Sequence, residues 1–122
     1  DMLSTAFGSL AMMTSVLVSP DGNYEYEAAH GTVTRHYYRY LKGEETSTNP
    51  MATIFAWSGA LRKRGELDKN GALVDFANRL EAACFKTLGE GIVTKDLVNL
   101  MEGVEAKAVT SAEFIKAIKE RI

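Results

Sequence analysis

Hydrophobic and polar positions change period several times along the chain. Residues 12–18 (MMTSVLV) form a short apolar run, β-branched at its end, as a buried strand has. Residues 19–23 (SPDGN) place Pro and Gly as a reverse turn needs them. Residues 24–28 (YEYEA) then alternate aromatic and acidic side chains at period two, the returning strand of a hairpin. The apolar first strand of such a hairpin wants neighbours on both sides. Between residues 30 and 49 no apolar stripe is present, and the segment reads as a loop with one helical turn near Tyr37 and Leu41. Loops of this length within a small domain are more often functional than not.

Beyond that loop the pattern becomes helical. Asn49 and Pro50 supply an N-cap and a first-turn proline. Ile54, Phe55, Trp57 and Leu61 give the apolar side, and the run Arg62, Lys63, Arg64, Gly65 reads as a helix end with cations and a C′ glycine. A second helix over residues 72–88 aligns Leu73, Phe76, Ala77, Leu80, Ala83, Cys84 and Leu88. Thr94 is expected to cap a short third helix carrying Leu97, Val98, Leu100 and Met101. Thr110 and Glu113 form a capping box that opens a last helix with Phe114, Ile115, Ile118 and Ile122. The predicted organisation is a helix end and β-hairpin (1–29), a loop (30–49) and a helical region (50–122).

Composition narrows the classes. With 122 residues, 14 basic and 16 acidic side chains and a net charge of −2, one domain is expected and the strong positive field of a nucleic-acid binder is missing. The uncharged stretch 2–20 has bilayer length but carries Ser4, Thr5, Gly8, Ser9, Thr14, Ser15 and Ser19, so it reads as buried interior and not membrane. One cysteine, Cys84, rules out an internal disulfide and a multi-cysteine metal site, and a reducing compartment is expected.

The densest cluster of chemically able groups follows His30. Gly31 permits close backbone approach to a ligand, and the amides and hydroxyls around Thr32, Val33 and Thr34 can cradle phosphate oxygens. Arg35 offers a planar fork and His36 a second donor, so anion binding suits these residues better than metal binding. The bland alternative is a loop whose Thr and His satisfy nearby backbone. The other candidates have bland readings too: Glu25 and Glu27 a solvated strand face, Cys84 a small core residue, Tyr37, Tyr38 and Tyr40 packing against the sheet, and Phe55 with Trp57 core.

The run from Glu27 to Tyr37 (EAAHGTVTRHY), followed by residues 45–50 (ETSTNP), resembles the coenzyme loop of dimeric NADP-dependent isocitrate dehydrogenases. The resemblance continues through Gly8, Ser9 and Leu10, residues 12–17, residues 54–57 (IFAW) and residues 94–97 (TKDL), so it covers essentially the whole chain. It implies an α/β fold, the C-terminal part of an isocitrate/isopropylmalate dehydrogenase-like large domain: a β-hairpin, a coenzyme loop and about four helices. By that resemblance, His30, Gly31, Thr32, Val33, Thr34, Arg35 and His36 wrap the adenosine and phosphates of NADP. Arg35 and His36 then face the ribose 2′-phosphate, and Asn49 contacts the adenine. An NAD-selective loop wants a carboxylate here, and none stands between Gly31 and Lys42.

Asp1 matches one of the family's carboxylate ligands for Mg²⁺ or Mn²⁺, though a lone aspartate makes no metal site. The implied reaction is oxidative decarboxylation of isocitrate by a homodimer in the cytoplasm or a reducing organelle such as the mitochondrial matrix. The family's substrate-binding arginines and its acid/base tyrosine and lysine match no residue here, so this chain alone is expected to be inactive. The alternative is a non-catalytic fragment that folds by pairing with itself or with a full-length subunit.

Overall fold

The computed structural model describes residues 14–29, 34–44, 49–98 and 106–122, apart from the His36 side chain. Strands β1 (Thr14–Val18) and β2 (Tyr24–Ala28) pair antiparallel, with Thr14 opposite Ala28 and Val18 opposite Tyr24. The turn between them closes through Ser19: its carbonyl accepts from the Gly22 N–H at 3.0 Å and its hydroxyl from the Asn23 N–H at 3.0 Å. Gly22 sits at φ +84°, the left-handed region that a residue without Cβ enters freely. The hairpin is as expected, with Met12 and Met13 outside the described residues. Its burial is not: Val16, Leu17 and Val18 are 46%, 54% and 56% exposed. Within the described residues only one face of the hairpin meets a helix, so its first strand lacks the two-sided cover its composition asks for.

Within the expected loop, helix α1 (Thr34–Leu41) extends the single turn expected near Tyr37 and Leu41 to two turns. Its described side chains are all exposed, including Tyr37, Tyr38, Tyr40 and Leu41 at 58–67%. The tyrosines therefore do not pack on the sheet. Tyr37, Tyr40 and Leu41 recur at i, i+3 and i+4 on one side of the helix, a stripe too short to stand out in sequence and uncovered among the described residues.

Helix α2 (Met51–Leu67) begins one residue later than read: Pro50, at φ −88°, is its N-cap residue instead of its first helical one, and Asn49 Oδ1, one residue further out, accepts the Met51 N–H at 2.8 Å. It runs past the expected stop at Gly65 to Leu67. Gly65 is buried, and a Cβ there would lie 2.8 Å from Val74 Cγ2 and 3.0 Å from the Asn70 carbonyl oxygen. Its smallness serves a close crossing with α3 (Gly71–Gly89), not a helix end. The connection is short and turns through Lys69 at φ +53°; Asn70 then caps α3 by accepting the Leu73 N–H at 3.2 Å.

The helical region also contains a parallel pair absent from the sequence reading. Strand β3 (Ile92–Thr94) lies beside β4 (Lys107–Val109), Ile92 opposite Lys107 and Thr94 opposite Val109. Helix α4 (Lys95–Val98) follows β3, and Leu100 and Met101 fall outside the described residues. Helix α5 (Ser111–Arg121) opens with the expected capping box, Thr110 Oγ1 accepting the Glu113 N–H at 3.2 Å. The core gathers Met51, Ala83, Cys84, Leu88, Val93, Leu97, Val109, Phe114 and Ile118 from α2, α3, β3, α4, β4 and α5.

Candidate functional site: the coenzyme segment and its anchor

Helix α1 presents Thr34 and Arg35 in its first turn, both exposed. The first turn of any helix directs its backbone N–H groups past its N-terminal end without intrahelical partners, and the peptide dipoles favour an anion there. An exposed guanidinium in that turn adds a formal charge and a fork of donors. No ion pair joins Arg35 to a carboxylate among the described residues. The backbone of His36 belongs to the same turn. His30, Gly31, Thr32, Val33 and Asp1 lie outside the described residues.

Asn49, at the far end of the segment, is held by three hydrogen bonds. Its N–H donates to Asp96 Oδ2 at 3.1 Å, its Nδ2 to Thr94 Oγ1 at 3.0 Å, and its Oδ1 accepts from Met51 as described. Thr94 is fully buried, so its hydroxyl needs the partner that Asn49 supplies. The carboxamide keeps a second N–H and an acceptor lone pair, the complementary set that an adenine edge takes. Thr94 thus acts as the seat of Asn49, and it immediately precedes the short helix Lys95–Val98, at the position expected for its cap. Thr94 and Asp96 went unread as site residues because their partner lies more than 40 residues away in sequence.

The other candidates resolve as structure. Glu27 accepts from Ser15 Oγ across the hairpin at 2.9 Å. Arg62 bonds Glu81 at 2.8 Å and Asn78 Oδ1 at 3.1 Å, tying α2 to α3, while Lys63 lies 4.3 Å over the Tyr24 ring. Arg64 forms a bidentate pair with Asp68, whose hydrogen bonds hold that carboxyl below its ordinary value. Arg121 Nε donates a single bond to Glu90 Oε2 at 2.5 Å, which holds that carboxyl below its ordinary value as well. Cys84 is fully buried, and burial, with Glu81 nearby, pushes its thiol up to about 12, so it is no nucleophile. Phe55 packs edge-on to Phe85 at 5.6 Å, as a core ring does, but Trp57 is 65% exposed, against the core expectation. It borders a groove of ≈ 380 Å³ between β2 and α2 that contains none of the expected coenzyme residues.

For a divalent cation, the described residues hold no cluster of three His, Cys, Asp or Glu side chains, so they do not by themselves form a metal centre. For a dinucleotide the donors present do fit: helix-end amides, a guanidinium and an anchored carboxamide. Among the described residues no helix is long and apolar enough to cross a membrane.

Comparisons with known proteins give the family: over residues 1–118 the chain matches the isocitrate/isopropylmalate dehydrogenase family, and it belongs to that family. It is 56% identical over 125 residues to the mitochondrial NADP isocitrate dehydrogenase of Saccharomyces cerevisiae, with 100% of this chain and 29% of that protein covered. To the peroxisomal NADP isocitrate dehydrogenase of Arabidopsis thaliana it is 53% identical over 122 residues, covering 97% of this chain and 29% of the relative. The mitochondrial NADP enzyme of Sus scrofa is 48% identical over 128 residues, covering 100% of this chain and 30% of that protein. The chain therefore spans under a third of the length of the curated relatives it matches. These matches carry membership and extent; they do not support the C-terminal placement, which is withdrawn.

Proposed function

We propose that this chain is the adenosine-binding segment of an NADP-dependent isocitrate dehydrogenase. The observation that carries the reading is whole-chain similarity, at 48–56% identity, to proteins named NADP isocitrate dehydrogenases. The exposed Arg35 at the head of α1 supports it chemically. In this reading residues 30–36 wrap the phosphates, Arg35 and His36 take the 2′-phosphate, and Asn49 takes the adenine. A 2′-phosphate brings close to two negative charges, and a guanidinium meets them with charge-assisted bonds. NADP, when bound, supplies the hydride acceptor for the 2-hydroxyl carbon of isocitrate. Asp1 is assigned as one Mg²⁺ or Mn²⁺ ligand, a role that other carboxylates must complete. The complete enzyme acts as a homodimer in the cytoplasm, the mitochondrial matrix or another reducing compartment.

In the complete protein, NADP should raise the melting temperature more than NAD does. Arg35→Ala should weaken NADP about ten- to a hundredfold and leave NAD unchanged, the worth of one or two hydrogen bonds to a charged group. The 122-residue chain alone should show no isocitrate-dependent NADP reduction. Equal stabilisation by both coenzymes would sink the reading. The exposed β1 favours a second one, a fragment that pairs with itself or with a full-length subunit. That fragment would melt in a concentration-dependent way and show no coenzyme preference.

A further inference from the structure

Helix α1 carries more positive charge than the coenzyme reading uses. Arg35, Arg39 and Lys42 recur at i, i+4 and i+7, which places them on one stripe of this helical segment. All three are exposed, and no ion pair engages them among the described residues. Glu44, the nearest described carboxylate residue, meets Arg39 through its backbone, its N–H donating to the Arg39 carbonyl at 3.0 Å. Like charges four apart on a helix repel, so a surface with no ligand to neutralise them gains nothing from this spacing.

Two geometric facts aim Arg39 at the head of the helix. Residues four apart have Cβ atoms about 5–6 Å from each other. Helical Cα–Cβ bonds tilt toward the N-terminus, so a long side chain covers the turn before its own. The Arg39 guanidinium therefore belongs over the turn that holds Arg35, at the positive end of the helix dipole. Charge arithmetic points the same way. A phosphomonoester at neutral pH carries between 1.5 and 2 negative charges. Arg35 supplies one positive charge, and His36, counted neutral at pH 7, supplies a donor without a full charge.

We propose that Arg39 is a specificity-determining residue for the 2′-phosphate, closing on it with Arg35 from the next turn of α1. The proposal rests on the coenzyme reading of this segment and adds to it a residue that no expectation included. Lys42, one turn further, contributes field but lies too far along the helix to replace Arg39.

The test is equilibrium binding of NADP, NAD and 2′,5′-ADP to the complete protein and to its Arg35→Ala, Arg39→Ala and Arg39→Lys variants. Arg39→Ala should weaken NADP and 2′,5′-ADP about three- to tenfold and leave NAD unchanged, with a shallower salt dependence than the parent. Arg39→Lys should recover part of the loss, because it restores the charge without the fork. Loss of NADP binding in Arg35→Ala alone, with Arg39→Ala like the parent, overturns the proposal and leaves the coenzyme reading standing. No loss in either variant overturns both. An equal loss for NAD assigns Arg39 a structural part and also overturns the proposal.

Discussion

Asn49 shows how one residue can tie distant parts of the fold together. Two of its bonds reach Thr94 and Asp96, and the third goes to the first residue of α2, so residue 49 moves only if β3 and α4 move with it. A helix start near Asn49 and Pro50 was legible, because Asn before Pro is a local signal, although Pro50 and not Asn49 takes the N-cap position; the bonds to Thr94 and Asp96 were not, because nothing local records a contact across the fold. Cys84 offers a sharper single-residue test. Its folded thiol titrates near 12 against an ordinary 9.0, because burial disfavours the thiolate. The neutral thiol is thus favoured in the folded state, and its contribution is whole below pH 9. As pH rises through 9 toward 12 the unfolded thiol ionises first and that stability drains away, by at most about 1.4 kcal/mol per pH unit. Denaturant unfolding from pH 8 to 10.5 should fall more steeply for the parent than for Cys84→Ala; parallel curves would refute the assignment.

At the scale of elements, what could be read in advance followed local periodicity. The hairpin declares itself by alternation and a turn, and α5 by Thr110 and Glu113. Strands β3 and β4 are three residues each, too few for a period, and their parallel register is set by chain folding 15 residues apart. Helix α1 hid for a related reason: its one short stripe, Tyr37, Tyr40 and Leu41, spans barely more than a turn. The end of α2 misled because Gly65 has two possible meanings, helix stop or close approach, and only the packing tells them apart. Gly65→Ala places a Cβ 2.8 Å from Val74 Cγ2 and 3.1 Å from the Val74 backbone N. The helix-propensity gain of about 1 kcal/mol should be outweighed by overpacking, for a net loss of about 1–3 kcal/mol in thermal unfolding. Gly71→Ala, with nothing within 4 Å of the new Cβ, should be neutral or stabilising.

On the scale of the whole molecule, the polar and apolar surfaces divide unevenly. Met51, Leu88, Val93 and Phe114 close a core with no exposure at all, while Val16, Leu17 and Val18 of the hairpin and Trp57 of α2 stand in solvent. Family membership was legible from residues, since a long run of matched positions carries more information than any one element. Placement within the longer relatives was not, because neither periodicity nor composition encodes distance from a chain end. Trp57 has one more consequence. It is the only indole in the chain, and its ring already meets water, so denaturing this polypeptide should barely change the wavelength of its emission. Far-ultraviolet dichroism over the same denaturant series should show a full transition. The same fluorophore is well placed to report whatever settles over the β2–α2 groove, by a blue shift that needs no dye.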